Sequence, residues 1–321
     1  MGLTVGVEQH RSILTATSPF SLERTLSFIR TFYARDYERV PAHVQLRAGA
    51  LRRVVSVSGV PVLFEVRAAA AGLELALHAA QLNDALVAAA TDRVRFYLSL
   101  DDDLTPLYTR ADPIFEDLIK TWYGYHMLKV LTPFEAACWA LIQQRTPNGF
   151  AHKTMVKLTE FFGGHLVYRG ETYTAFPEAQ AMLDNPQARV LAATNNTRKT
   201  ERLLHLIRAF ATADETFLRS APYGDVARWL GNIKGLGAWS VDFIMLRGLG
   251  RSELVPWTDT GMLGAISKVY TGGFEVSLGR ARELAERYGS EQGLWAHYVK
   301  TSAYSFETLE DATLRRDDRH T

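Results

Sequence analysis

The chain has 321 residues, of which 47% are hydrophobic and 22% charged, the make-up of a globular protein with material for about two domains and a substantial core. Thirty-six Lys and Arg against 35 Asp and Glu leave a formal net charge of +1. That balance does not mark a nucleic-acid binder, so any phosphate contact has to come from local clusters. The single cysteine, Cys138, lies in an apolar run; it excludes an intrachain disulfide or a Cys-ligated cluster, reads as a small buried hydrophobe, and suits a reducing cytoplasm. The opening MGLTVGVEQHRSILTATSPF has no apolar stretch behind a basic start and no Ser or Thr at position 6. The expectation is a soluble, cytoplasmic protein without signal peptide, lipid anchor or membrane span.

In chain order, Leu22, Leu26, Ile29 and Phe32 fall at helical spacing behind Ser21 as N-cap, predicting a helix over 22–32. From about Val44 the period moves toward two. Val55-Ser56-Val57-Ser58, then 60–67 and 73–78, read as three strands separated by turns at Ser58-Gly59 and Ala71-Gly72, an antiparallel meander. Helical spacing returns over 83–98. Residues 1–110 are therefore expected to form a small antiparallel α/β domain.

Beyond 110 no strand signal is evident, and helices are predicted at 113–122, 132–144, 150–162, 177–183, 197–210, 226–230, 238–247, 259–269, 279–287 and 294–302. Short joints with turn residues connect them, and Ser, Thr and Asp recur at their starts. The fold class is thus α+β: an α/β layer, an all-helical domain over 111–310, and a charged tail at 311–321, RRDDRH being its core. No internal repeat or low-complexity tract occurs.

The chemistry concentrates in 230–263. Ile233-Lys234-Gly235-Leu236-Gly237 places two glycines in a tight turn between helical segments, where positive φ and close backbone approach are available. The helix that follows offers unpaired N–H groups and a positive dipole end to a phosphate. Such a turn alone most often only connects helices. Here Pro256-Trp257-Thr258-Asp259 follows some twenty residues later, at the start of another helix.

The pair of motifs resembles the helix-hairpin-helix DNA glycosylases, whose hairpin reads LPGIGxWTA and is followed by Pro-x-x-Asp or Pro-Asp-Asp with a catalytic aspartate. The corresponding residues are 233–241 (IKGLGAWSV) and Pro256–Asp259. The likeness covers roughly 110–305 and is nearest to the bacterial 3-methyladenine glycosylase II (AlkA-like) branch, whose members carry an extra α/β domain ahead of the helical part. Members that also cut the strand carry a lysine at the position of Trp239, and iron–sulfur members carry four late cysteines. Neither is present. The resemblance therefore implies a monofunctional hydrolase, without abasic-site lyase activity, that excises alkylated bases such as 3-methyladenine in base excision repair.

It also implies roles. Asp259 would stabilise the oxocarbenium-like sugar as water attacks; as an ordinary residue it would be an N-cap, and a helix N-terminus favours the ionised form that the chemistry needs. Trp239 and Phe243, four apart on one helix face, would stack on a flipped base or simply pack in the core. Trp295, Trp257 and, more remotely, Phe28 resemble pocket aromatics of the same branch. Gln144 resembles the Gln of an Ile-x-x-Gln motif whose loop enters the minor groove. An apolar wedge is expected next, but Arg145 stands there, followed by Thr146. Gly235, Gly237, Lys234 and the run 197–202 (TRKTER) are candidate phosphate contacts, with a solvated helix face as the ordinary reading of the charges.

No transition-metal spacing occurs and no cofactor is expected, apart from a monovalent cation that the family holds at its hairpin carbonyls. The partner would be double-stranded DNA with a damaged base, and the protein a monomer. Two alternatives stay open: the same fold acting on oxidised or deaminated bases, and a non-catalytic hairpin DNA-binding protein.

Overall fold

The computed structural model describes residues 6–37, 44–47, 49–184 and 186–303. The expected charged tail at 311–321 lies outside them.

Strand β1 (Glu8–Leu14) and helix α1 (Leu22–Tyr37) precede the meander β2 (Val44–Arg47), β3 (Ala50–Val57), β4 (Val60–Ala69) and β5 (Gly72–Ala79). The five strands form one antiparallel sheet in the order β1-β5-β4-β3-β2. Ser58 and Gly59, both at positive φ, make the two-residue turn that pairs Val57 with Val60, as a tight hairpin requires. β1 was not expected. EQHRSIL mixes charged and apolar residues and lies mostly exposed at the sheet edge, where its ladder with β5 holds it rather than its own burial.

Helices α2 (Asp84–Leu98), α3 (Thr105–Thr109) and α4 (Pro113–Trp122) follow, then α5 (Pro133–Gln143) and α6 (Asn148–Phe162). Side-chain caps fix several starts: Asn83 accepts from Leu86 N–H, Asp112 from Ile114 and Phe115, and Thr132 from Glu135. The helical part is not free of strands. β6 (His165–Tyr168) and β7 (Glu171–Thr174) pair through an Arg169-Gly170 turn, with both residues at positive φ. Leu166, Tyr173 and Ala175 then bury against Val54 and Leu63, on the sheet face that α1 and α2 leave uncovered. The short run LVYRGETYT fell below notice because it is a two-sided hairpin completed only by the sheet beneath it.

The remaining helices are α7 (Pro186–Thr194), α8 (Thr197–Ala211), α9 (Glu215–Ser220), α10 (Tyr223–Gly231), α11 (Ala238–Phe243), α12 (Met262–Thr271), α13 (Leu278–Glu286) and α14 over 292–303. A π-helical segment, Ile244–Gly248, continues α11. The helix expected at 177–183 is a single 3-10 turn, Gln180–Met182. Among the described residues no helix is long and apolar enough to cross a membrane.

Besides the small cluster under β6–β7, two larger cores hold the described elements. One joins the sheet, α1 and α2 to α12, α13 and α14, through Phe64, Ile29, Tyr97, Ile266, Trp295 and Tyr298. The other lies within α5 to α11, around Leu141, Leu158, Leu206, Leu230 and Met245. The chain's first third is therefore packed against its end, and the middle helices form a separate lobe. Burial on this scale is the main stabilising term, at roughly 25 cal/mol per Å² of apolar surface removed from water.

Candidate active site

The hairpin joins α10 to α11. Gly235 sits at φ +109, and a Cβ there would lie 2.8 Å from the Arg202 side chain; glycine is required on both counts. Gly237 has ordinary φ of −93 and begins α11 with no side-chain cap, so its neighbours' N–H groups stay open to an outside acceptor. Lys234 is exposed beside them.

The hairpin is locked to the end of α5. Gln144 Nε2 donates to the Gly235 carbonyl (2.8 Å) and to Ser240 Oγ (2.9 Å), while Arg202 Nη1 donates to Gln144 Oε1 (3.3 Å). Lys199 Nζ donates to the carbonyls of Ile142 and Gln144 and to Thr146 Oγ1. Burial, with Arg202 nearby, pushes the Lys199 ammonium below its ordinary pKa. Lys199 and Arg202, both half-buried, therefore fasten the loop to its neighbours through these bonds. Arg145 is exposed at φ +51, a left-handed conformation uncommon outside glycine. The loop holds this side chain out next to the hairpin.

Between the two lobes lies a pocket of about 260 Å³. Trp239, Asp242, Phe243, Leu246 and Arg247 line one wall, a spacing that puts all five on one helical face. Trp239 and Phe243 are stacked, with centroids 5.6 Å apart and planes at 24°. Trp139 and Gln143 of α5 extend that wall. The lining is completed by Phe28 of α1, Met262 of α12, and His297, Lys300 and Thr301 of α14. Phe28 packs on Tyr125 at 5.1 Å and lies 5.5 Å from the Arg247 guanidinium.

Asp259 enters the pocket from the turn ahead of α12. Contrary to expectation it does not start the helix; Gly261 caps α12 and the helix begins at Met262. Asp259 Oδ1 accepts from Gly261 N–H at 3.0 Å, and Lys300 Nζ donates to Asp259 Oδ2. Both side chains are about a quarter exposed, 22% and 24%, so this carboxylate meets the pocket with a lysine already bound to it. Asp242 is a second pocket acid. Burial raises its pKa from the ordinary aspartate value, opposed by a hydrogen bond from Thr258. His297 is hydrogen-bonded to Tyr125 (3.1 Å), and burial, then the charges of Arg247 and Lys300, hold its pKa well below the ordinary value.

Of the expected pocket aromatics, Trp239, Phe243 and Phe28 line the pocket together with Asp259. Trp295 does not: it is fully buried, stacked on Tyr288 at 5.5 Å, and donates to the Tyr270 hydroxyl at 2.9 Å. Tyr270 and Tyr288 in turn donate to Asp112 Oδ2, so Trp295 completes a buried polar chain of the core. Trp257 packs half-buried against the same core, outside the pocket lining.

Trp139, Asp242, Arg247, His297 and Lys300 were missed. Asp242 was within reach, three residues from Trp239 on the same helix. Lys300 and His297 are brought in by the packing of α14 alone.

No known family profile matches the chain. It is 25% identical over 174 residues to a Bacillus subtilis protein named DNA-3-methyladenine glycosylase, a match covering 53% of this chain and 57% of that relative. The chain thus spans little more than half the length of the relative it matches. Among solved structures, a 3-methyladenine DNA glycosylase from Archaeoglobus fulgidus superposes with a TM-score of 0.73 at 21% identity, over 92% of this chain and 99% of that one. An 8-oxoguanine glycosylase/lyase from Clostridium acetobutylicum superposes at 0.66 with 17% identity, over 92% and 98%. The chain shares the fold of these helix-hairpin-helix DNA glycosylases.

Proposed function

We propose that this chain, with the fold and the hairpin of the helix-hairpin-helix DNA glycosylases, excises damaged bases from double-stranded DNA. The observation that carries the reading is the placement of the Asp259 carboxylate in a pocket walled by Trp239, Phe243, Phe28 and Trp139, beside a hairpin with open backbone N–H groups. A flipped base would enter between the aromatic rings, and its sugar would come against Asp259. As the N-glycosidic bond lengthens, positive charge develops on the sugar, and a fixed carboxylate lowers the energy of that state more than of the ground state. Water then adds to the sugar. The hairpin N–H groups and Lys234 would hold the flanking phosphates, and Arg145 would fill the gap left in the stack.

Alkylated bases such as 3-methyladenine are the first substrate class, in keeping with the name of the Bacillus subtilis relative and with stacked rings that attract an electron-poor base. A cationic leaving group departs without a strong general acid, and Trp239 leaves the hairpin helix without a nucleophilic amine. One observation favours a second reading. Arg247 and Lys300 both line the pocket, and two resident cations welcome the carbonyl oxygens of oxidised or deaminated bases better than a cationic base.

A monovalent cation at the hairpin would take a structural part only. Ile233 and Gly235 carbonyls already accept from Leu236 N–H and Gln144, and each oxygen keeps a second lone pair for such an ion.

The test is single-turnover base release from duplexes carrying 3-methyladenine, hypoxanthine, uracil or 8-oxoguanine, with Asp259→Asn in parallel. Release of the alkylated base, lost in the variant, supports the first class; release of only the others supports the second. Duplex binding without any release would leave a hairpin that grips DNA and does no chemistry.

A further inference from the structure

Away from the Asp259 pocket, a cavity of about 280 Å³ lies where the sheet meets the middle lobe. Strands β2, β3 and β7 and helices α5 and α6 wall it, with the exposed residues Glu160 and Thr172 at its rim. We propose that this cavity binds a small neutral planar lactam, of the kind a free nucleobase presents, through Glu135 and Arg53. The inference is independent of the base-excision reading above.

A buried carboxylate with half of its accepting capacity unused carries it. Glu135 is 8% exposed; its Oε1 accepts from Arg53 Nη2 at 2.6 Å, whereas Oε2 is buried and has no hydrogen-bond partner among the described residues. Gln45 Oε1, on the same lining, is in the same state. A desolvated carboxylate oxygen is costly unless a donor reaches it. Apolar side chains would join β3 to α5 without that cost, so the ion pair is better matched to a donor arriving from the cavity.

The walls decide what kind of donor. Arg53 already neutralises Glu135, and its guanidinium repels a second cation, while the carboxylate repels an anion. Burial lowers the pKa of His152, which favours the uncharged ring. A neutral N–H therefore suits Glu135 Oε2, and a carbonyl beside that N–H suits the positive guanidinium. N–H next to C=O in one plane is the edge of a lactam. The Tyr173 hydroxyl is already bonded to Glu171 and Arg52, so Tyr173 offers its ring. With Phe176, Val54 and Val156 it supplies an apolar bed for a flat molecule. The volume is close to the 260 Å³ of the Asp259 pocket, room for one base-sized ring.

Calorimetric titration of the full chain with 2-pyridone, a bare lactam ring, tests this, with N-methyl-2-pyridone as the analogue whose donor is blocked. Binding of the first and not the second is expected, with 2-pyridone seated against Glu135 in a soaked crystal. Glu135→Gln keeps an acceptor for Arg53 but turns an N–H toward the ligand, and should lose binding. Val156→Phe fills the cavity, leaves the ion pair intact, and should lose it too; it decides the matter if Glu135→Gln fails to fold. Asp259→Asn should bind as wild type does. Displacement of 2-pyridone by hypoxanthine or uracil identifies the occupant as a free nucleobase; binding without displacement by either identifies a smaller lactam. No binding, equal binding of the methylated ring, retention in Val156→Phe, or 2-pyridone found only in the Asp259 pocket overturns the inference.

Discussion

Gln144 and Gly235, 91 residues apart in sequence, meet through a 2.8 Å hydrogen bond from the Gln144 amide to the glycine carbonyl. The loop that presents Arg145 and the hairpin that offers its N–H groups are thereby one rigid unit. Gln144→Ala removes this bond and the one to Ser240, leaving part-buried acceptors unpaired at a cost of about 1–3 kcal/mol. A lower denaturation midpoint, with weaker duplex binding, is the expected outcome. An unchanged duplex affinity would show that the two loops act separately.

Gly235→Ala has a double penalty. Its φ of +109 is unfavourable for an L-residue, and the new methyl would lie 2.8 Å from Arg202. The loss should be of order 1–3 kcal/mol, read by thermal unfolding, with a fall in duplex affinity measured by fluorescence anisotropy. Gly237→Ala, at ordinary φ and with no atom within 4 Å of its added Cβ, should leave stability nearly unchanged.

Asp259→Asn keeps the side chain's shape and removes its charge. Base release under single-turnover conditions should fall by about 10²–10³-fold, while duplex binding persists. Trp239→Ala should instead weaken capture of the flipped base, by about 1–3 kcal/mol of stacking, read as a raised half-saturation for lesion duplex over undamaged duplex.

Trp295 is the contrasting tryptophan. It is fully buried against Tyr288 and tied to Tyr270, so Trp295→Ala should cost about 3–5 kcal/mol of stability. Equilibrium denaturation checks this. A variant with wild-type stability and lost base recognition would return Trp295 to the pocket.

His297 sets a pH dependence. The folded protein holds it neutral, whereas in the unfolded chain it protonates below its ordinary value of 6.5. The unfolded state then binds more protons, so stability should fall as pH drops below about 6.5, and this residue adds no dependence above that. Unfolding midpoints between pH 5 and 8 (roughly the window in which histidines titrate) measure it. His297→Asn should flatten the acid side of the curve.

Local sequence determined a good deal of this protein. Two glycines around Leu236, the turn at Pro256 and the aspartate after it are short-range features whose backbone demands are legible in a single chain. The sheet meander and most helix starts are legible for the same reason, because hydrophobic period, capping and turn chemistry act over a few residues. Trp239 and Phe243 follow from helical spacing alone. What only the tertiary structure decided is which distant side chains share space. Trp295 and Lys300 lie on the same helix α14, and nothing in their neighbourhoods separates them. Packing against Tyr288 buries the first, and the turn before α12 brings Asp259 to the second. Lys199 and Arg202 read as a solvated basic face until the α5 carbonyls and Gln144 claim them. The hairpin β6–β7 exists because an apolar sheet face lies beneath it. Burial and pairing are long-range terms, and their partners here are dozens to more than a hundred residues away along the chain, where no local pattern reaches.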